Sequence, residues 1–387
     1  MTHLGRIEIT PLGDVCCVDR VSTRKNDLTM FTPARLKLAR QRRQLTAAAL
    51  ARQLDVSPRS VSDFENGRRV PTEPELAALA RALGFPVEFF AGGEPAELTE
   101  DVVSFRARPK LPARRRAGAL AAGRLAIEFN AFLERRFTLP EVDVPVVSQG
   151  TPSAAADAVR EQWQLGSKPA PNLVHLLEAH GVRVFSLGVD HTDVDAFSFW
   201  HEDTPYVFLN TAKSAEHGRF DAAHELGHLV LHGGGRAVDG VDVEAEADAF
   251  ASAMLMPDVD VLTYVPEDPS KDQVLRACPR WRVSPLALTR RLRELRQVGD
   301  GVYRALCVDL ARVDADSDQA RESSQLLAKV FKALREQGMT PHELAADLML
   351  STQELNNIVF GLVVTALPGR STALRTPGGR TAHLRLV

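Results

Sequence analysis

The sequence predicts a multidomain chain: an all-α N-terminal unit, a central α+β unit and a mostly helical C-terminal region. Three observations predict it. Residues 31–93 hold short helical stretches split by tight turns and opened by Thr, Ser and Pro. Residues 151–260 mix helical spacing with short runs rich in Val, Phe, Tyr and Trp that alternate as strands do. Helical spacing then dominates the C-terminal part. At 387 residues the chain exceeds one ordinary core.

Composition narrows the class. An apolar fraction of 44% and a charged fraction of 25% are those of a soluble globular protein. A net charge of −3 excludes a general polycation, so nucleic-acid affinity must come from a local basic patch. No apolar run approaches a membrane span, and residues 1–30 lack the apolar core of a signal peptide. The four cysteines, Cys16, Cys17, Cys278 and Cys307, form no C-x-x-C pair and read as reduced thiols of a cytoplasmic protein.

In chain order, residues 1–30 show no helical period and leave three readings open: a disordered extension, a small strand cap, or a stretch upstream of a true start at Met30. Helices are expected at Pro33–Arg43, at Ala47–Leu54 behind the cap Thr46, and at Pro58–Glu65 behind the cap Ser57. Asn66-Gly67 ends the third, because both residues tolerate positive φ. Glu73–Leu83 and a short turn from Pro86 to Phe90 complete the unit at residue 93. Two helices joined by a short turn, the second short and polar, form a helix-turn-helix pattern. Within 31–93, ten Lys and Arg oppose six Asp and Glu, an excess of four that suits phosphate contacts. Val56–Pro71, VSPRSVSDFENGRRVP, resembles the Xre/Cro-like repressor family. The resemblance places Ser57, Arg59, Ser60 and Ser62 in the major groove of double-stranded DNA. Arg68 and Arg69 join them as expected DNA contacts. The family often has Gln where Ala47 stands, and Ala47-Ala48-Ala49 leaves open a module devoted to dimerisation or protein contact. Reading two half-sites calls for a homodimer.

Residues 94–150 read as a basic linker and a helix. Arg106, Arg108, Lys110, Arg114, Arg115 and Arg116, interleaved with Pro109 and Pro112, indicate a solvated segment that could add phosphate contacts. The helix is expected over Ala117–Phe137. The unit at 151–298 starts with helices at Ala154–Gln164 and Asn172–His180. A strand at 181–187 and a hairpin of Asp195–His201 with Pro205–Asn210 follow, in a small antiparallel sheet beside helices Phe220–Leu231 and Val243–Leu255. Residues 299–387 are the helical C-terminal region with an irregular tail. Across 270–362, helices are expected at Asp272–Arg280, Pro285–Val298, Arg321–Gln337, Met339–Leu348 and Ser351–Leu362.

The chemistry lies in His224-Glu225-Leu226-Gly227-His228, an H-E-x-x-H motif. On a helix, residues four apart share a face, so both imidazoles can reach one metal ion. Glu225 can then act as general base on a water polarised by that metal. A hydrolytic zinc site needs a third protein ligand and an open position. His232 is eight residues from His224, about 12 Å along the axis, too far for tetrahedral ligation. Glu244 on the next helix can complete a His₂Glu site. Asp248, one turn on, is placed to hold a ligand imidazole from behind.

FDAAHELGHLVLH at 220–232 and EAEADAFASAMLMP at 244–257 resemble the ImmA/IrrE family of metallopeptidases. The likeness runs from about 154 to 295, through DAFSFW at 195–200 and WRVSPLAL at 281–288. In that family the third zinc ligand is the Glu thirteen residues before the Pro of L-M-P, which here is Glu244. The resemblance implies a zincin-like α+β metallopeptidase domain fused to the all-α helix-turn-helix domain. It implies Zn²⁺, catalytic Glu225, and a substrate that is a helix-turn-helix repressor or antitoxin-like protein of a stress or mobile-element response. Tyr206, His201 and Tyr264 remain open as oxyanion donors. The strand Pro205–Asn210 is expected to offer a sheet edge to an extended substrate. A regulator whose zinc domain is a sensor or scaffold stands as the alternative.

Overall fold

The computed structural model describes residues 10–11, 31–99, 103–107, 112–147, 149–187, 194–233, 242–311 and 320–361. The extension at 1–30 (Thr10–Pro11 apart), the positions Arg108 and Lys110, and the irregular tail expected beyond 361 lie outside them. Strand β1 (Thr10–Pro11) precedes helices α1 (Pro33–Arg42), α2 (Ala47–Gln53), α3 (Pro58–Glu65) and α4 (Glu73–Leu83), and a 3₁₀ turn covers Val87–Ala91. Strand β2 (Val103–Ala107) and helix α5 (Ala113–Glu134) follow. Then come β3 (Phe137–Thr138), α6 (Pro152–Gln162), α7 (Leu173–Ala179), β4 (Arg183–Leu187), β5 (Val194–His201), β6 (Thr204–Asn210), α8 (Ala215–Leu231) and α9 (Val243–Leu255). The remainder is helical: α10 (Asp258–Tyr264), α11 (Lys271–Trp281), α12 (Pro285–Glu294), α13 (Asp300–Leu310), α14 (Gln325–Glu336), α15 (Pro341–Asp347) and α16 (Thr352–Ile358). The architecture is multidomain α+β, with a helical N-terminal part and a small mixed sheet among many helices.

The main sheet has the order β2-β5-β6-β4. β5 pairs antiparallel with β2 and β6, whereas β4 runs parallel to β6, so the sheet is mixed rather than antiparallel. The hairpin turn is Glu202-Asp203, with Glu202 at φ 52°. Strand alternation divides the buried residues into two cores. Phe185, Phe197, Phe199, Tyr206 and Phe208 face a core that also holds α5, the N-terminal helices and α14–α16. Val184, Ala196, Val207 and Leu209 face the second core, built from α6–α9 and the helices after them. The rings of Phe197 and Phe208 stack at 4.4 Å and those of Phe199 and Tyr206 at 5.0 Å, which locks the β5–β6 register.

Several expectations need correction. Part of the expected linker is strand: Val103–Ala107 hydrogen-bonds to β5, residue 103 opposite Phe199 and residue 104 opposite Ser198. Basic composition hid it, because a strand's stability comes from a partner that local sequence does not show. Helix α5 starts at Ala113, so Arg114, Arg115 and Arg116 lie in its first turns rather than in a linker. β6 is paired on both sides and offers no free edge; the outer strands are β2 and β4. Helix α8 begins five residues before the expected start, because Ser214 Oγ accepts from the His217 N–H at 3.3 Å and caps it. Helix α12 ends at Glu294, near Arg296 at φ 58°, and a separate helix starts after Gly299.

The C-terminal helices pack on the N-terminal ones. Glu354 of α16 accepts hydrogen bonds from Nε of Arg42, the last residue of α1, and from Nη1 of Arg43, its C-cap, both at 2.5 Å. Glu178 of α7 accepts from the backbone N–H groups of Gln325 and Leu326, each at 2.9 Å, which ties the start of α14 to the central unit.

Candidate metal centre and nucleic-acid interface

Helix α8 is buried on nearly every side from Asp221 to Val230. Its small residues make this feasible. A Cβ on Gly227 would lie 3.1 Å from Phe250 Cδ1 and 3.2 Å from Ala247 Cα, so α9 approaches α8 as closely as a glycine allows. That approach sets Glu244 and Asp248, one turn apart on α9, against the histidine face of α8.

The distances define a compact donor set. His224 Nε2 lies 3.0 Å from His228 Nε2. Glu244 Oε2 is 3.4 Å from His224 Nε2, and Glu244 Oε1 is 3.3 Å from His228 Nε2. Four-coordinate zinc with bonds of about 2.0–2.1 Å sets its ligand atoms about 3.3 Å apart. The three side chains therefore fit a tetrahedral ion. Among the described residues they are the one group of His, Cys, Asp and Glu close enough to hold a metal. On the far side of His224, Nδ1 meets Asp248 Oδ1 at 2.8 Å. An Nδ1–H donated to that carboxylate leaves Nε2 with its lone pair toward the centre. Burial pushes the His228 imidazole below its usual pKa and keeps it in the neutral form that metals bind.

Glu225 is 0% exposed. Its Oε2 accepts a hydrogen bond from Ser198 Oγ of β5 at 2.6 Å. Ser198 was not singled out from sequence, although it sits in DAFSFW and alternation sets it opposite in face to Phe197 and Phe199. Trp200, on the same face, donates from Nε1 to the Leu229 carbonyl at 3.3 Å and fixes α8 against β5.

The oxyanion candidates have other partners. Tyr206 stacks on Phe199 and hydrogen-bonds with Asn130 on the opposite face of the sheet, where burial raises its pKa. His201 packs edge-on against Tyr206, with ring centroids 6.5 Å apart. Tyr264 is half-exposed on α10 against Trp281 and Arg280. Strand parity puts Tyr206 in the core on the sheet face away from α8. His232 stands outside the donor set. Its Nδ1 faces His228 Nδ1 at 3.3 Å and its Nε2 faces Glu246 Oε2 at 3.0 Å. Glu246, between Glu244 and Asp248 on α9, joins the network through His232.

A Gly227→Leu substitution is expected to push α9 away from α8 and to weaken zinc binding at least tenfold. Competition with a chromogenic chelator measures it, and an unchanged affinity would show that the helix approach does not position Glu244.

In the N-terminal part, Val61 and Phe64 anchor α3 in the core while its other face is open. Ser57 caps the helix: its Oγ accepts from the Ser60 N–H at 3.1 Å and contacts Ser60 Oγ at 2.9 Å. Ser62 is bound by Asn66 Nδ2 at 3.2 Å. Arg59 and Arg68 have side chains 89% and 71% exposed, each near Asp63 at 3.7 Å and 3.6 Å. Arg69 pairs with Glu75 and lies 4.8 Å over the Phe64 ring, so it is braced against the fold. The geometry thus presents Arg59 and Arg68 outward and uses part of the hydrogen-bonding capacity of the three serines for the helix itself.

Residues 177–293 match the IrrE N-terminal-like domain of the peptidase M78 family, and residues 34–89 match a helix-turn-helix domain. A 72-residue stretch is 38% identical to the HTH-type transcriptional regulator PrpR of Mycobacterium tuberculosis, covering 19% of this chain and 15% of that protein. A 77-residue stretch is 36% identical to multiprotein-bridging factor 1 of Debaryomyces hansenii and 35% identical to that of Candida albicans. Each match covers 20% of this chain and 50% of the relative, so the chain spans at most half the length of the curated proteins it resembles. No helix among the described residues is long and apolar enough to cross a membrane. The chain therefore pairs a stretch that matches a helix-turn-helix domain, at 34–89, with one that matches the IrrE N-terminal-like domain of the peptidase M78 family, at 177–293.

Proposed function

We propose that this protein is a regulatory zinc metallo-endopeptidase that binds double-stranded DNA and cleaves a helix-turn-helix repressor or antitoxin-like protein in a stress or mobile-element response. One observation carries the reading: His224, His228 and Glu244 converge within 4.8 Å of one another, with the Glu225 carboxylate on the adjoining residue of the same helix. When bound there, zinc supplies Lewis acidity, acidifying a water and polarising a scissile carbonyl. Glu225 takes the proton of the attacking water and hands it to the leaving amine. Ser198 orients the carboxylate through its hydrogen bond to Oε2. Asp248 fixes the His224 tautomer, and α9 holds Glu244 against both imidazoles.

The working division is an extension at 1–30, the helix-turn-helix unit at 31–93, a connecting segment at 94–150, a peptidase unit at 151–298 and the helical region at 299–387. Residues 103–107 serve the peptidase sheet. A cytoplasmic location and a homodimer reading two half-sites complete the proposal. Incubation with candidate repressors encoded beside this gene, with and without chelator and read by mass, tests it. Zinc-dependent products support a peptidase, and intact partners under all conditions contradict it.

A second reading has its own support. His224, Glu225 and His228 are only 1%, 0% and 3% exposed, while the outer face of α3 is open to solvent. A transcriptional regulator whose zinc domain acts as a sensor or scaffold would have this distribution. It binds an operator with steep salt dependence whatever residue occupies position 225. Arg59→Ala and Arg68→Ala are each expected to weaken DNA binding alike across sequences and to lower the salt slope by about 1. Fluorescence anisotropy at several salt concentrations measures this; an unchanged slope in both variants would remove these residues from the interface.

A further inference from the structure

We propose that His232 and Glu246 form a hydrogen-bonded relay that positions His228, the counterpart of the direct Asp248 contact behind His224. The inference rests on the zinc reading above and adds two positioning residues to it.

The argument is one of donors and acceptors. His228 Nε2 points toward Glu244 and His224, so as a ligand it must present its lone pair there. Its proton then resides on Nδ1. That nitrogen lies 3.3 Å from His232 Nδ1. A proton on each of these two nitrogens would set two N–H donors face to face. His232 must therefore accept at Nδ1 and carry its own proton on Nε2. The atom opposite Nε2 is Glu246 Oε2 at 3.0 Å, an acceptor. A single arrangement satisfies the chain: His228 Nδ1–H to His232 Nδ1, and His232 Nε2–H to Glu246.

The two halves of the site are thereby unequal. His224 is backed by a carboxylate in one step, whereas His228 is backed by an imidazole and reaches a carboxylate in two. The His232 side chain is 13% exposed and that of Glu246 is 36% exposed, so the second step opens toward solvent. The relay also accounts for the residues. His232 follows His228 by one turn on the same face, and Glu246 follows Glu244 by two residues on a helix whose close packing is set at Gly227.

Two variants of the full-length protein separate positioning from packing. His232→Asn keeps an acceptor where Nδ1 stands; His232→Leu keeps bulk and removes the acceptor. Zinc affinity, read by competition with a chromogenic chelator, is expected to fall 10–100-fold in the Leu variant. The Asn variant should stay within about threefold of the native chain, and Co²⁺-substituted Asn protein should keep the native d–d spectrum. Equal weakening in both variants, or unchanged affinity in the Leu variant, would overturn the relay. Nitrogen chemical shifts of ¹⁵N-His-labelled, zinc-loaded native protein test it independently of any mutant's folding. They are expected to show His228 protonated at Nδ1 and His232 at Nε2, and the opposite tautomer at either would overturn it. Failure of the native chain to bind zinc at all would strike the metal reading itself, a result distinct from those.

Discussion

Glu225→Gln is expected to lower peptide-bond cleavage about 10²–10⁴-fold, the range that removal of a general base produces. Gln has the shape of Glu and still offers an oxygen to Ser198 Oγ, so the 2.6 Å contact survives and the fold should be unchanged. It lacks the basicity to take a proton at neutral pH. Zinc content should remain that of the native chain, because the donor set is His224, His228 and Glu244. Initial rates on a cleaved repressor and metal analysis of the same sample measure both quantities. Full activity in the Gln variant would sink the general-base assignment. Activity and zinc lost together would move Glu225 into the ligand set. His224→Ala provides the contrast, since it should remove zinc and cleavage at once.

Glu354→Ala is expected to cost about 3–5 kcal/mol, as removal of one member of a buried ion pair does. Glu354 is 0% exposed and both of its oxygens are engaged, one by Arg42 and one by Arg43. Truncation leaves the buried Arg42 guanidinium without its carboxylate. The expected result is a lower melting temperature and faster proteolysis of α14–α16, because α16 then loses its buried ion pairs to Arg42 and Arg43. An unchanged melting profile would show that these helices dock without the pair. The pH dependence has a definite sign. Burial alone would raise the Glu354 carboxyl, but the charges of Arg42 and Arg43 more than offset it and hold the carboxyl below its ordinary range. A depressed folded pKa means that this stabilisation is present above the unfolded value and is lost as the pH falls through the folded one. Acid titration of the native chain should show that loss, and Glu354→Ala should not.

Much of the candidate centre was legible because its parts are local. H-E-x-x-H sets two imidazoles on one helical face through the 3.6-residue period alone, and the same period pairs Glu244 with Asp248. The bounds of α3 followed from its cap Ser57 and its stop Asn66-Gly67. The α8 start was missed because Ser214 caps a turn that the apolar period does not reach.

What the sequence by itself determined was the H-E-x-x-H motif with its candidate donor types, and the pairing of a helix-turn-helix with a metallopeptidase-like domain. All of these rest on contacts spanning a turn or two of helix, or on motifs read as resemblance. The tertiary structure alone decided that residues 103–107 are an edge strand and that β6 is interior. It also set Ser198 on Glu225, turned Tyr206 to the wrong face, and brought His232 to Glu246. Glu354 meets Arg42 across 312 residues of chain. The physical reason is common to these cases. Strand pairing and buried polar contacts draw their free energy from a distant partner, and no local period encodes which partner arrives.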